Sequence, residues 1–438
     1  MTSCWLKWGL PKHEQSTDLN QYTHTHQPRS INNGQSALPR PIETHQSNST
    51  GHATVNCRGR EVTNFVTAAP PVDDGSRRMF FELERSVDHL TNQPDTFETK
   101  MSTMRAVDIK GGKGGIDALH ITDIPKPQVD HAKALVKVKA FGLNRMDLLQ
   151  REGMYPVPPQ APKTLGVEFS GTIEELAGES EKGFKKGDAV FGLAYGGAYA
   201  EYISVSTHML VHKPDELSWE QAAGIPETWI TATQAMFLIG EFAAGKSILW
   251  HAGASAVSIA GIQLSKANGA SAVYATARQD DKCDFCVKEL GADAAFNTET
   301  TDWSAKIMEA TGGKGVDVII DYIGPATFAG NLNVAARDAR IVNLASLSGR
   351  ELKPEMPQPN FGAFVAKRLR YEGSSLRSRD EQYQGRLRDQ LVEHALPKFK
   401  DGSFKVLVEK VFPWEQIQDA HRLMESNQTK GKIICTVS

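Results

Sequence analysis

Five cysteines in 438 residues, at positions 4, 57, 283, 286 and 435, are too few and too scattered for a disulfide framework. They point to a reducing compartment, and the lack of an apolar h-region near residue 1 makes the expected location cytoplasmic. No run approaches the roughly 18 consecutive apolar residues of a membrane span. Neither sign of charge dominates: 49 Lys and Arg against 52 Asp and Glu leave a net charge of −3, which excludes a nucleic acid held by bulk charge.

Apolar periodicity is missing from the first hundred residues. Gln, Asn, Ser, Thr, His and Pro dominate from Pro11 to Thr54, a composition that cannot bury enough apolar surface to offset its ordering entropy. We read residues 1–100 as a disordered polar extension, with one short helix expected between Phe80 and Leu90. His24 and His26 follow from that composition without a metal. Met101 and Met104 directly precede the first clear strand, so an over-extended gene model is the other reading of this segment.

From Met104 the texture changes. Strand-like runs (Met104–Ile109, Ala134–Ala140, Ala189–Phe191, Ala198–Tyr202) alternate with Pro and Gly turns, which predicts a β-rich domain over residues 101–228. Helices and short apolar strands then alternate, including Val316–Asp321 and Ala339–Leu344, which predicts a doubly wound parallel sheet over 229–372. The tail, 373–438, becomes strand-rich again from Lys405 to Val437 and is expected to return to the first domain, leaving a cleft between the two.

The centre of the second domain is a βαβ unit. Ser247–Trp250 reads as a buried strand, His251-Ala252-Gly253 as a tight turn, Ser255 as a helix cap, and Ala272–Ala277 as the next strand. A helix N-terminus placed so can hold a pyrophosphate on Ser255, Ala256 and Val257. The glycine pattern is incomplete, because Ala256 and Ser258 stand where small-residue spacing invites glycine; Gly261, one turn on, can restore close helix–sheet contact. The second strand ends at Arg278, with Lys282 following, where an NAD site usually has an acid about 20 residues past the glycines. A guanidinium there favours a 2′-phosphate and hence NADPH, although Asp280 and Asp281 compete.

Four further blocks coincide with this unit. Asn144-Arg145-Met146-Asp147 to Tyr155-Pro156, Leu165-Gly166-Val167-Glu168, Gly187-Asp188-Ala189-Val190 and Ser375-Leu376-Arg377-Ser378-Arg379-Asp380 stand in order around it. Together they resemble the quinone oxidoreductase (zeta-crystallin-like) branch of the zinc-independent medium-chain dehydrogenase/reductase superfamily, from Met104 to the C-terminus. The resemblance implies an α/β fold: a GroES-like catalytic β-domain interrupted by a Rossmann domain. It also implies NADPH as hydride donor and a homodimer. It places Asn144 and Tyr155 at the nicotinamide and acceptor, and Thr231, Tyr322, Asn343, Ser375, Leu376 and Asn427 along the cofactor.

Zinc-dependent members have Gly-His-Glu where this chain reads Gly166-Val167-Glu168, and residues 104–218 contain no cysteine. A catalytic zinc needs three protein ligands, so the expected chemistry is metal-free, and Cys283-x-x-Cys286 reads as an ordinary helix pair. Hydride transfer to an already electrophilic acceptor suits such a site, because the cofactor carries the chemistry and the protein need only orient it and meet a developing oxyanion. Tyr155 has two roles open to it, donor to the acceptor oxygen or turn aromatic packed before Pro156. Asp147 is a structural helix residue or a site residue, and Glu168 is expected to stabilise the cleft by local hydrogen bonds. The function expected is an NADPH:quinone oxidoreductase. An enoyl or enone reductase on the same fold, and a non-catalytic NADPH-sensing protein, are the alternatives.

Overall fold

A computed structural model describes residues 102–130, 132–178 and 182–438. The polar extension and the helix expected between Phe80 and Leu90 lie outside the described residues. Among the described residues, fifteen strands fall into three sheets. In chain order they are β1 (Thr103–Ile109), β2 (Leu119–Pro125), β3 (Lys133–Gly142), β4 (Glu168–Leu176), β5 (Ala189–Leu193), β6 (Tyr202–Ser206) and β7 (Leu210–His212). Then come β8 (Ser247–Trp250), β9 (Ala272–Ala277), β10 (Ala294–Asn297), β11 (Val316–Asp321), β12 (Ala335–Asn343), β13 (Arg370–Gly373), β14 (Val408–Pro413) and β15 (Lys432–Thr436).

β8 to β13 form a parallel sheet in the order β10-β9-β8-β11-β12-β13. Its central strands are buried on both faces by apolar runs, as helices on both sides require: Ile248, Leu249 and Trp250 in β8 and Val318, Ile319 and Ile320 in β11 are all inaccessible. The strand order reverses between β8 and β11, so a crevice opens beyond their C-terminal ends. The turn after Trp250 and the residue after Asp321 therefore face the same crevice. This is the doubly wound sheet expected from the sequence.

The first domain is an antiparallel sheet built on β3 and β4, and the chain's last two strands complete it. β15 pairs antiparallel with β3, setting Ile434 opposite Gly142, and Leu143 donates to the Ile433 carbonyl at 3.0 Å. One strand expectation is displaced. Ala198–Glu201 is not a strand but a passage between sheets: Val107 donates to Tyr199 O at 2.8 Å, Glu201 to Arg105 O at 3.0 Å and Val138 to Glu201 O at 2.9 Å. Gly196 and Gly197, the latter at φ +94°, bend the chain just before it, so the run pairs first with β1 and from Glu201 onward with β3. Likewise Lys405–Leu407 precedes the strand, which starts at Val408.

Candidate active site

The glycine turn is shaped by packing before any ligand is considered. Gly253 donates to Thr276 O at 2.7 Å, and a Cβ there would lie 2.6 Å from Cys286 Sγ and 2.8 Å from Ala275 Cβ. Ser255 caps helix Ala256–Ala267, its hydroxyl accepting from Ser258 N–H at 3.4 Å. The first-turn N–H groups of Ala256 and Val257 have no intrahelical acceptor and form the anion-ready end of the crevice. Gly261 does restore the close contact that the incomplete fingerprint needs: a Cβ there would stand 2.2 Å from the Trp250 ring.

Tyr322 rises from the end of β11 into the same turn. Its hydroxyl meets both Ser255 Oγ and Ser258 Oγ closely and donates to Ala252 O at 3.2 Å. Desolvation holds this buried phenol well above its ordinary pKa. Asn343, ending β12, donates its amide to Ala345 O at 3.0 Å, and its carbonyl accepts from Ser374 N–H at 2.9 Å. Ser375 is exposed, whereas the Leu376 side chain packs into the core, so Leu376 can meet a ligand only through its backbone.

At the outer end of the crevice, exposed Arg278 follows β9. Lys282 donates its ammonium to Asn427 O at 2.6 Å, while Arg145, from the other domain, donates to Asn427 Oδ1 at 2.6 Å and to Met424 O at 3.0 Å. Asn427 takes a left-handed backbone, φ +57°, which turns its carbonyl and side chain toward these two cations. Burial, and then the charge of Arg278, pull the Arg145 guanidinium below its ordinary value. Arg145 was not singled out from sequence; its place in the Asn-Arg-Met-Asp block was the available signal. Asp281 is held by Lys430 at 2.7 Å, so it does not neutralise Arg278.

The inner end rests on a buried ion pair. Lys432, opening β15, contacts the Glu168 carboxylate and donates to Leu143 O at 2.8 Å and Asn144 Oδ1 at 2.9 Å. Asn144 Nδ2 donates to Glu168 Oε1 at 2.9 Å, and Glu168 Oε2 accepts from Glu227 N–H at 2.9 Å. The Asn144 amide thus keeps one free N–H on a rigid mount. Asp147 sits beneath it and accepts Asn144 N–H at 2.8 Å and Tyr199 O–H at 3.2 Å, which makes it a structural helix residue. Desolvation raises the Asp147 carboxyl to about 6.

Tyr155 is half-buried, with the Arg377 guanidinium 5.3 Å from its ring centroid. Arg377 donates to Tyr195 O at 2.7 Å and to Gln150 Oε1 at 2.8 Å, and its Nη2 is buried with no partner. The buried Thr231 hydroxyl is also without a partner. Sequence reasoning missed Lys432, Glu227 and Arg377 as parts of this site.

These donors do not fit a catalytic zinc. Val167 stands where a histidine ligand is required, and both Glu168 oxygens are committed to Lys432, Asn144 and Glu227. Among the described residues no group of three His, Cys, Asp or Glu side chains could hold a metal ion. Cys283 and Cys286 are buried, and desolvation raises their thiols to about 11 and about 12.

Residues 256–392 match the family described as zinc-binding dehydrogenase, and residues 130–215 the alcohol dehydrogenase GroES-like domain. Human quinone oxidoreductase is 27% identical over 324 residues, spanning 73% of this chain and 94% of that protein. An NAD-dependent alcohol dehydrogenase structure is 29% identical with a TM-score of 0.66, covering 76% of this chain and 100% of the other. A mycobacterial protein solved in complex with NADPH is 25% identical with a TM-score of 0.66, covering 76% and 99%.

Proposed function

Because this chain belongs to the quinone oxidoreductase branch of the medium-chain dehydrogenase/reductase superfamily, oxidoreductases that bind NAD(P)H, we propose that it reduces quinones with NADPH at a metal-free site. The observation that carries this reading is the Lys432–Glu168 pair. It occupies the polar floor of the cleft and commits both oxygens of Glu168, so that carboxylate is not free to hold a Lewis acid. Only an acceptor that is already electrophilic suits such a floor, and the quinone oxidoreductase named among the relatives supports a quinone.

The bound nicotinamide supplies a hydride. The chain's residues do the rest. Ala256 and Val257 offer backbone N–H groups to the pyrophosphate, with Gly253 letting the turn lie close and Tyr322 bracing it from below. Arg278, helped by Lys282, meets the 2′-phosphate. Asn144 would present its spare N–H to the nicotinamide and Thr231 its buried, unpartnered hydroxyl, while Asn343, Ser375, Leu376 and Asn427 would line the cofactor. Tyr155 donates a proton to the acceptor oxygen that becomes negative.

The test is a panel of initial rates with NADPH and NADH against ortho-quinones, para-quinones, enoyl thioesters and simple ketones. Quinone turnover that survives chelation supports the reading, and efficient turnover of the thioesters alone replaces it with enoyl reduction. No turnover with bound NADPH leaves the sensing reading.

The same proposal divides the chain at 101–228, 229–372 and 373–438 and includes a homodimer. β13 is an edge strand exposed along all four residues, with Tyr371 in it exposed at 41%, and Phe361 and Val365 before it are exposed at 66% and 85%. An edge of this kind invites a second copy of the same strand. No helix among the described residues is long and apolar enough to cross a membrane.

A further inference from the structure

We propose that Arg377 is the positioning residue of Tyr155: its buried guanidinium fixes the ring and answers the negative charge left on the phenol oxygen once the proton has gone to the acceptor. The inference rests on the reading of Tyr155 as the donor to the acceptor.

Arg377 lies between β13 and helix Glu381–Gln390, in a segment tied down at several points. Ser374 N–H reaches Asn343 O at 2.9 Å, and Leu376 O accepts from the Gln384 amide at 2.9 Å. Tyr195 holds the segment twice. Its carbonyl accepts from Arg377 Nε at 2.7 Å, and its hydroxyl donates to Arg379 O at 2.7 Å. Arg377 Nη1 donates to Gln150 Oε1 at 2.8 Å, on helix Arg145–Arg151. The guanidinium thus bridges from the end of the parallel sheet to the catalytic domain, and only 3% of the residue is exposed. On this mount it stands over the Tyr155 ring, 5.3 Å from the centroid.

Those two hydrogen bonds do not account for the charge. Both acceptors are neutral, and a neutral amide could serve either. The third nitrogen, Nη2, is buried with no partner and packs against Gly196, where a Cβ would come 3.3 Å from it. The three nitrogens therefore meet a carbonyl, an amide and a glycine, and none of them meets a carboxylate among the described residues. A guanidinium does not shed its proton, so the charge stays. A buried cation without an anion is costly to the resting protein. Held beside a phenol, that same charge is ready for a phenolate when one forms, with no reorganisation needed at that moment. Burial, and then the Glu227 charge, hold the Tyr155 phenol protonated at rest, and the Arg377 charge opposes them.

The step balances as follows. The quinone accepts one hydride, gaining two electrons from the cofactor, and one of its oxygens is left anionic. The Tyr155 O–H bond breaks and its proton goes to that oxygen, giving the hydroquinone. The phenolate rests against the Arg377 guanidinium until it takes a proton from solvent, to which its half-buried position gives access.

The experiment is a double-substitution cycle on kcat. It compares wild type, Tyr155→Phe, Arg377→Gln, Arg377→Met and Arg377→Lys, with each Arg377 change also made in Tyr155→Phe. KM for NADPH and the melting temperature are measured for every protein. The two neutral changes should each slow wild type roughly tenfold, with KM for NADPH unchanged. Arg377→Lys keeps a charge and should recover most of the rate. In the Tyr155→Phe background the same changes should cost less than about twofold, because the hydroxyl they act through is gone. Two neutral forms keep the test decisive if one of them fails to fold. A merely structural Arg377 would slow both backgrounds alike and would not separate Lys from Gln. That outcome overturns the inference, as does wild-type kcat in a folded neutral variant. If Tyr155→Phe is itself slow in that case, the donor reading stands and only the role of Arg377 falls. If Tyr155→Phe matches wild type, both fall together.

Discussion

Lys432 and Glu168, 264 residues apart in the chain, meet as a buried ion pair at the floor of the cleft, with side chains 3% and 0% exposed. The pair exists because β15 returns to β3 after the whole second domain has been built. It therefore reports whether the tail has docked, and it fixes Asn144 through the same ammonium.

Lys432→Met should destabilise the protein by about 3–5 kcal/mol, because it strands a carboxylate in the interior. Lys432→Met combined with Glu168→Gln should cost clearly less than the sum of the two single changes, since the residues share one network. Urea unfolding of the four proteins measures both quantities. Additive losses would mean that the pair is not coupled in solution.

Arg278→Ala should weaken NADPH binding by about 1.5–3 kcal/mol, the worth of a hydrogen bond to a charged group. NADH affinity should stay within a factor of about two, since that cofactor offers nothing for the guanidinium to meet. Titrating both cofactors into both proteins decides it. Equal affinity of wild type for the two cofactors would remove Arg278 from the 2′-phosphate.

Most of the crevice was legible because it is built locally. Trp250, Gly253, Ser255, Gly261 and the strand ending at Ala277 lie within one βαβ unit, and their spacing alone gives the turn, cap and packing contact. The floor was not legible, for a topological reason. Nothing near Asn144 in sequence announces Lys432, and Lys432 reads as an ordinary charged residue at the start of a strand until β15 is laid beside β3. Glu227 reads as a favourable acid in the first turn of a helix, which it is; that its backbone N–H meets Glu168 appears only when that helix is seen against β4. Ala198–Glu201 misleads because its strand-like composition is real while its pairing partner changes midway.

Acid should weaken the fold through His421. This imidazole is fully buried, and desolvation together with the Arg151 guanidinium 3.2 Å away lowers it from 6.5 to about 3. The unfolded chain binds a proton at the ordinary histidine value and the folded one does not. The stabilising contribution is therefore present above pH 6.5 and is lost as pH falls toward 3, at up to about 1.4 kcal/mol per pH unit. Stability measured by urea at pH 7, 6 and 5 should fall more steeply for wild type than for His421→Gln. Parallel curves would show that the histidine is not neutral in the folded state.

Val365→Glu should shift the protein toward monomer without changing its melting temperature by more than a few degrees. The side chain is 85% exposed beside the β13 edge, so the substitution leaves the protomer core intact. A charge on each copy repels across a two-fold contact. Light scattering coupled to size exclusion gives the mass directly, and an unchanged dimer would place the contact elsewhere.

Tyr155→Phe should lower kcat while leaving NADPH affinity nearly intact. Removing the hydroxyl keeps the ring beneath the Arg377 guanidinium, so the packing at 5.3 Å survives and only the donor is lost. Losing one such donor typically costs on the order of a hundredfold, and less where the acceptor's own electrophilicity carries the step. The deficit should therefore grow as the quinone becomes a weaker oxidant, since a less reactive acceptor leans harder on the proton. Asn144→Ala should behave differently. It removes an amide bonded to both Glu168 and Lys432, so it should disturb binding and rate together. Steady-state kinetics of the two variants across ortho- and para-quinones of graded potential separate these roles. Unchanged kinetics in Tyr155→Phe across the whole series would make the tyrosine a packing residue, and the acceptor would then be held by shape alone.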